Sequence, residues 1–312
     1  MPLVSSVHTS AALAELSILF GQNKYVSDQL APVLPVKKQS DTYYIIDVLR
    51  EDLRQSDVAR APGTPAKDVD YAITTDTYTC KDHALGGVVS DEERENADVA
   101  LQPEIDKTEF ITGKILLDKE IRLQAALVAS VANTAAAAAV WSDYTTGDPV
   151  ANVRTAKQSI MDDVLEAPNV MVIDWKTWTA LRDHPDIVER IKYNQTPGTP
   201  AVATTSAVAQ VFDLEQILVS KCFKNTALHG AAATTSAVWG TDAWLAYVAP
   251  RPGLRVLTAA MTFEWSVAGG RGTIVEKWRD DKVKGDRIRI QRYYDQKVIS
   301  TGAYARITSV IS

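Results

Sequence analysis

From Pro103 to Trp141 the chain holds no further proline and a single glycine, Gly113. Phe110, Leu117, Ile121 and Val128 recur there at spacings of seven and four, and Leu116, Leu123 and Leu127 widen the row into one apolar stripe. The pattern predicts a helix of roughly 35 residues, a rod on the order of 50 Å long at about 1.5 Å per residue. Ser90-Asp-Glu-Glu93 reads as a capping box opening a short helix ahead of the rod. Ala135–Ala139 is expected to end the rod, either as plain helix propensity or as a close approach to another element.

The N-terminal side alternates instead. Residues 1–40 read as an extended arm with a short helix around Ala11–Phe20, and Ala31-Pro-Val-Leu-Pro-Val36 is extended because each proline pushes its predecessor out of the helical region. Tyr43–Val48 predicts a strand, and Arg60-Ala-Pro-Gly-Thr-Pro65 a loop tip. Val69, Tyr71 and Ile73 alternate with polar residues in the returning strand. A two-stranded ribbon is marginal alone in water, so the apolar side of 41–80 needs cover from the chain's own body or from a neighbouring copy.

After the rod the pattern is mixed. Asp148-Pro149 starts a helix reaching about Leu165, Asn169–Ile173 is a short buried strand, and Asp174 caps a helix carrying Trp175, Trp178 and Leu181. His184-Pro185 breaks that helix and Asp186–Tyr193 adds a turn or two. Asn194–Ser206, rich in Thr, Pro, Gly and Ala, predicts a mobile edge loop. Gln216–Phe223 and Ala243–Val248 are core strands. Beyond Leu254 strands dominate, at Val256–Trp265, Thr273–Trp278, Arg287–Tyr294 and Ala303–Val310. Trp175 and Trp178 share one helical face and read as core or interface anchors, while Trp239 and Trp244, flanking a strand start, read as core.

Composition sets limits on this picture. The 312 residues are 46% hydrophobic, ordinary for a soluble chain of one to three domains. No apolar run reaches membrane-spanning length, and residues 1–20 lack the form of a signal peptide. Cys80 and Cys222 lie far apart and outside any metal spacing, as expected for reduced buried thiols. The net charge of −6 argues against a dedicated duplex-DNA binder, and its distribution is uneven. Residues 41–106 carry 16 Asp+Glu against 6 Lys+Arg, whereas 271–306 carry 10 Lys+Arg against 5 Asp+Glu. Such fields are expected to meet, within one copy or between neighbours. Arg287 and Arg289 share one strand face; with Arg292 they are candidates for contact with a neighbour's acidic segment, which is favoured over DNA phosphates.

No catalytic pattern emerges. His8, His83, His184 and His229 are scattered, with no zinc-protease, Cys-x-x-Cys or Gly-x-Ser-x-Gly spacing. His184 fits a structural helix-end role. Asp162-Asp163 and Asp280-Asp281 are adjacent pairs whose side chains diverge, and Gly269-Gly-Arg-Gly272 lacks the order of a phosphate loop. No catalytic, metal or cofactor-binding residue is assigned.

The order of parts resembles the Hong Kong 97-like major capsid protein of tailed bacteriophages. Val88–Val128 carries the likeness as a capped helix leading into a spine, and Val170–Ile191 as an axial strand–helix–turn. Val283–Ile299 with Gly302–Ile311 carries it as a basic strand, a Tyr-Tyr-Asp turn and a final Gly-Ala strand. The resemblance implies an α+β fold: an N-terminal arm (1–40), an extended hairpin loop (41–80) and a peripheral domain with the spine helix (81–144). An axial domain (145–253), returning peripheral strands (254–300) and a C-terminal strand (301–312) complete it. It implies a structural, non-enzymatic shell of hexamers and pentamers around double-stranded DNA, touched weakly and non-specifically. A portal, a possible decoration protein and assembly in the host bacterial cytoplasm follow. The short lead into shell-like sequence implies a separate scaffolding protein or none. The loop tip (Arg60, Pro62, Gly63, Pro65, Lys67) would lie on an adjacent subunit, and Asn194, Pro197, Gly198 and Pro200 would surround the local axes. Lys67 lies near the tip, but no asparagine or acid for an isopeptide crosslink is identifiable. The shell reading depends on 41–80 being unable to bury its apolar side within its own molecule. An encapsulin-type compartment shares the fold and differs in contents; a soluble α/β enzyme or adhesin would be a monomer or small oligomer.

Overall fold

The computed structural model describes residues 8–9, 25–45, 58–60, 62–66, 68, 74–97, 102–194, 203–228, 230–266 and 273–312. The expected helix at Ala11–Phe20, the returning strand at Val69–Ile73 and the Gly269–Gly272 turn lie outside them. Strand β1 (His8–Thr9) is followed by helix α1 (Ser27–Leu30), β2 (Val33–Val36) and a ribbon of β3 (Ser40–Ile45) and β4 (Thr74–Thr79). Next come β5 (Lys81–Ser90), α2 (Asp91–Glu95) and the spine α3 (Pro103–Ser130), then β6 (Asn133–Ala136) and α4 (Pro149–Val164). Strand β7 (Val170–Asp174) leads into α5 (Trp175–Arg182), α6 (Pro185–Asn194) and α7 (Thr205–Val211). Eight further strands close the chain: β8 (Gln216–Ser220), β9 (Phe223–Asn225), β10 (Thr235–Ala237), β11 (Ala243–Ala246), β12 (Ala260–Trp265), β13 (Thr273–Asp280), β14 (Gly285–Val298) and β15 (Tyr304–Thr308).

Two sheets organise these elements. The first runs β1-β13-β14-β12-β2, with β5 also paired to β14; the second runs β6-β15-β11-β7-β8. Alternation along β14 sends Ile288, Ile290, Arg292 and Tyr294 to one face and Arg287, Arg289 and Tyr293 to the other. The spine lies over the first of these faces. Its N-terminal half buries Ile111 and Ile115 against Val89, Val275, Ile288 and Ile290. Its C-terminal half sends Leu123 and Leu127 into the main core, which also holds Trp141, Trp178, Trp239, Trp244 and the strands of the second sheet. One continuous core therefore joins the spine to the second sheet. Trp175, by contrast, is surface-exposed beneath the Lys221 ammonium, 4.6 Å from its ring centre.

Local chemistry explains the element boundaries. Ser90 Oγ accepts from Glu93 N at 3.1 Å, Asp148 Oδ1 from Ala151 N at 2.8 Å and Asp174 Oδ2 from Lys176 N at 3.1 Å, as the cap patterns predict. The spine is shorter than its pattern suggests, 28 residues, or about 42 Å at about 1.5 Å per residue. The alanine run does not extend it. Asn133–Ala136 instead forms β6, paired in parallel with Ala305–Thr308. Backbone pairing to a sheet edge overrides helix propensity there, and the small side chains admit α4 alongside. The predicted stripe holds at Leu123 and Leu127, which are buried, and at Leu117, Ile121 and Val128, which pack against the core; Phe110 is 63% exposed instead, and Thr108, Ile111, Thr112, Ile115, Lys119 and Glu120 are buried as well. The predicted 216–223 strand splits into β8 and β9, and the loop expected to reach Ser206 gives way to α7, capped by Thr204 Oγ1 accepting from Ala207 N at 3.2 Å.

Candidate assembly surfaces

The β3–β4 ribbon is the first candidate. Its inward side carries Tyr43 and Tyr78, and both are buried by the chain's own body. Tyr78 stacks on Phe263 with ring centres 4.5 Å apart and Tyr43 lies 5.1 Å from the same ring, with Cys80, Met261 and Ile299 completing the cluster. Tyr43 Oη donates to Asp76 Oδ2 at 2.9 Å, and Thr79 N donates to Asp295 Oδ2 at 2.9 Å. Burial, with the Asp295 charge next in order, pushes the Cys80 thiol up to about 11, so it is a neutral core group. The expectation that the ribbon cannot cover its apolar side within its own molecule is therefore wrong for the described strands. Phe263 on β12, whose alternate residues face away from the spine, stands at the centre of that cover. Phe263→Leu is expected to cost about 1–2 kcal/mol by removing the aromatic contacts with both tyrosines, measurable as a lower urea midpoint. The tip differs from the base. Arg60, Pro62, Gly63 and Pro65 are exposed, as is Val58 at 92%, and Gly63 takes φ +83 in the turn. Lys67 lies outside the described residues.

The acidic and basic segments meet within the chain. β5 pairs antiparallel with β14 from Lys81↔Tyr294 to Ser90↔Gly285. Arg279 donates twice to Asp91 at 2.5 Å, Arg94 bridges Glu104 and Asp286 at 2.9 and 2.7 Å, and Lys277 reaches Glu104 at 2.7 Å. Arg287 and Arg289 occupy one half-exposed face and pair with Asp280 at 2.7 Å and with Glu276, Arg289 also lying over the Trp278 ring. Strand alternation turns Arg292 to the opposite, inward face, where it pairs with Glu264 at 3.4 Å; it is not a surface contact residue. Partial burial raises the Asp286 carboxyl, but Arg94 and Lys277 outweigh it and hold the group below the usual carboxylate range. A folded-state value below the unfolded one gives stability that is complete above about pH 4 and lost as pH falls through the lowered value. Asp286→Asn is accordingly expected to be less stable than the parent at neutral pH, with a flatter loss below that point in acid-unfolding curves.

A buried charged joint under the spine escaped the sequence reading. Lys119 and Glu120 are both fully buried. Glu120 accepts from Val26 N at 3.2 Å, Ser27 N at 2.9 Å and Trp239 Nε1 at 2.6 Å, so one carboxyl ties α1, the spine and the approach to β11 together. Lys119 Nζ pairs with Asp28 of α1 and lies 5.5 Å from the Tyr294 ring centre. Burial raises the Glu120 carboxyl, against the hydrogen bonds from Trp239, Val26 and Ser27; burial, and next Arg292, lowers Lys119. The signal was present in the register: 111, 115, 119, 123 and 127 form one i, i+4 row with a lysine at its centre.

Asn194 ends α6, while Pro197, Gly198 and Pro200 lie outside the described residues. His184 is buried, its Nδ1 accepting from Asp186 N at 3.3 Å. Among the described residues no group of His, Cys, Asp and Glu could hold a metal ion, and no helix is long and apolar enough to cross a membrane.

Comparison with known proteins gives this architecture its identity. The family model for phage major capsid protein E matches residues 109–291, which run from the spine through the second sheet except β15 and into β14. The chain belongs to the phage major capsid protein E family. The major capsid protein of Pseudomonas phage JBD67 is 27% identical over 241 residues, covering 75% of each chain. The crystal structure of a phage-related protein from Bordetella bronchiseptica RB50 superposes with TM-score 0.72 at 22% identity over 97% of both chains. The mature capsid of bacteriophage PhiM1 gives 0.58 at 12% identity over 92% of this chain and 87% of its own. The fold is the Hong Kong 97-like shell fold, and this phage capsid protein is a structural shell component that associates with copies of itself. An encapsulin from Synechococcus elongatus shares the fold at TM-score 0.52 and 13% identity. Fold alone thus does not separate a phage shell from a cargo compartment; the family match does.

Proposed function

We propose that this capsid protein assembles as hexamers and pentamers into the icosahedral head of a tailed phage, around double-stranded DNA. The match of residues 109–291 to the capsid family carries the reading. Residues 81–144 with 254–300 act as the peripheral domain and 145–253 with the last strand as the axial domain; residues 194–200 surround the local axes. The tip of the 41–80 ribbon, Arg60, Pro62, Gly63, Pro65 and Lys67, reaches an adjacent copy, and the half-exposed Arg287–Arg289 face borders a neighbour. The exposure of the described tip residues, which the fold of one copy leaves uncovered, supports that reading. Packaged DNA is touched weakly, consistent with the net charge of −6. A portal is the partner this reading calls for, with assembly in the bacterial cytoplasm; a separate scaffolding protein and a decoration protein are compatible with it. Heads isolated from phage-producing cells test it: nuclease-protected duplex DNA is the expected content, and an enzyme cargo without DNA would favour the compartment instead.

A further inference from the structure

We propose that the groove between α2 and the first turns of the spine seats the β13–β14 turn of a second copy of this chain. The inference rests on the shell reading and adds a contact distinct from that of the exposed ribbon tip. The groove encloses about 680 Å³ and is lined by Glu92, Glu93, Ala97, Pro103, Asp106 and Phe110. Phe110 stands 63% exposed on its wall, with Lys114 Nζ 5.5 Å from its ring centre. Among the described residues Glu92, Glu93 and Asp106 form no ion pair, while Asp91, Arg94 and Glu104 beside them are all paired. Lys107, also on the wall, packs its aliphatic stem close to Gly87. The site is thus an apolar slot with an acidic rim.

The complementary shape lies next to it. The β13–β14 turn projects Lys282, Val283 and Lys284, all exposed, and neither lysine has an ion pair among the described residues. The turn is stiff. Asp280 Oδ1 accepts from Lys282 N at 3.1 Å, Lys284 holds φ +46, and a Cβ on Gly285 would meet Val89 O at 2.5 Å. Lys284 O accepts from Asp91 N at 3.0 Å, which fixes the turn at the N-terminal end of α2. The turn therefore lies beside its own groove rather than in it. A knob and a hole side by side on one end of a molecule form a heterologous contact, which closes into a ring when each copy's knob enters the next copy's hole. Val283 would pack on Phe110 and the two lysines would face the acidic rim, with opposite charges fixing the register.

Particle yield of the full-length protein, read by sedimentation, tests the contact, with thermal melting of the unassembled fraction as the control for folding. Lys282→Glu with Lys284→Glu is expected to lower the yield at least about tenfold, and Glu92→Lys with Glu93→Lys likewise, because each weak contact recurs throughout a shell. The chain carrying all four changes is expected to assemble within about threefold of the parent, since the swapped charges again attract. Undiminished yield from either pair, or no rescue in the fourfold variant when melting is unchanged, would overturn the proposal. A second measurement is independent of charge. Phe110→Cys with Val283→Cys, oxidised during assembly, is expected to give a ladder of linked chains on a denaturing gel, and monomer alone would contradict it. A parent protein that forms no particles at all would sink the shell reading itself.

Discussion

Glu120→Ala is expected to lower the unfolding free energy of the subunit by about 3–5 kcal/mol, whereas Lys119→Met is expected to cost little or to stabilise. The neighbours differ only in what each leaves behind. Glu120 is the shared acceptor of two backbone N–H groups and an indole N–H, from segments 93 to 119 residues away in sequence. Removing it strands three buried donors and frees α1 from the spine. Lys119 leaves behind Asp28, whose side chain is 49% exposed and regains water. Methionine fills the vacated volume without a charge to desolvate. Urea unfolding of unassembled subunits reads both. Equal losses for the two variants would contradict the assignment of the joint to Glu120.

Deleting residues 57–69 is expected to leave the melting temperature close to the parent's while lowering particle yield by an order of magnitude or more. The seat of the ribbon explains the first half. Tyr43, Tyr78 and Phe263 lie at its base, and that cluster is untouched by the deletion. The described tip residues are exposed and contribute little to the fold of one copy. The second half follows from repetition, since an interface missing from one subunit type is missing at every position of a shell built from it. Unchanged yield would place the tip outside the interfaces.

Short-range chemistry was the legible part of this sequence. Ser90, Asp148 and Asp174 cap the helices their neighbours predicted, because a cap depends on three or four consecutive residues. The order of segments was legible too, and it pointed to the shell fold. Long-range partners were not. Ala135 and Ala136 become a strand because Ala305–Thr308 offers a free edge about 170 residues later. The stripe was legible at Leu123 and Leu127 but not at Lys119 and Glu120, which interrupt its apolar periodicity while remaining buried. The ribbon's cover was assigned outward because nothing near residues 41–80 announces Phe263 on a strand far downstream. For the candidate surfaces, exposure at Arg60, Pro62, Gly63 and Pro65 agrees with the loop-tip pattern. The cis pairing of Arg287, Arg289 and Arg292 depends on strand registers that charge counts do not reveal.

An electron cryo-microscopy reconstruction of the expressed protein addresses the central claim, that this chain builds a shell by laying its ribbon tip on a neighbour. Closed particles are predicted, with residues 58–66 in contact with an adjacent copy and the Tyr43–Tyr78–Phe263 seat intact inside each subunit. Discrete monomers or small oligomers, with the tip resting on its own subunit, would contradict it.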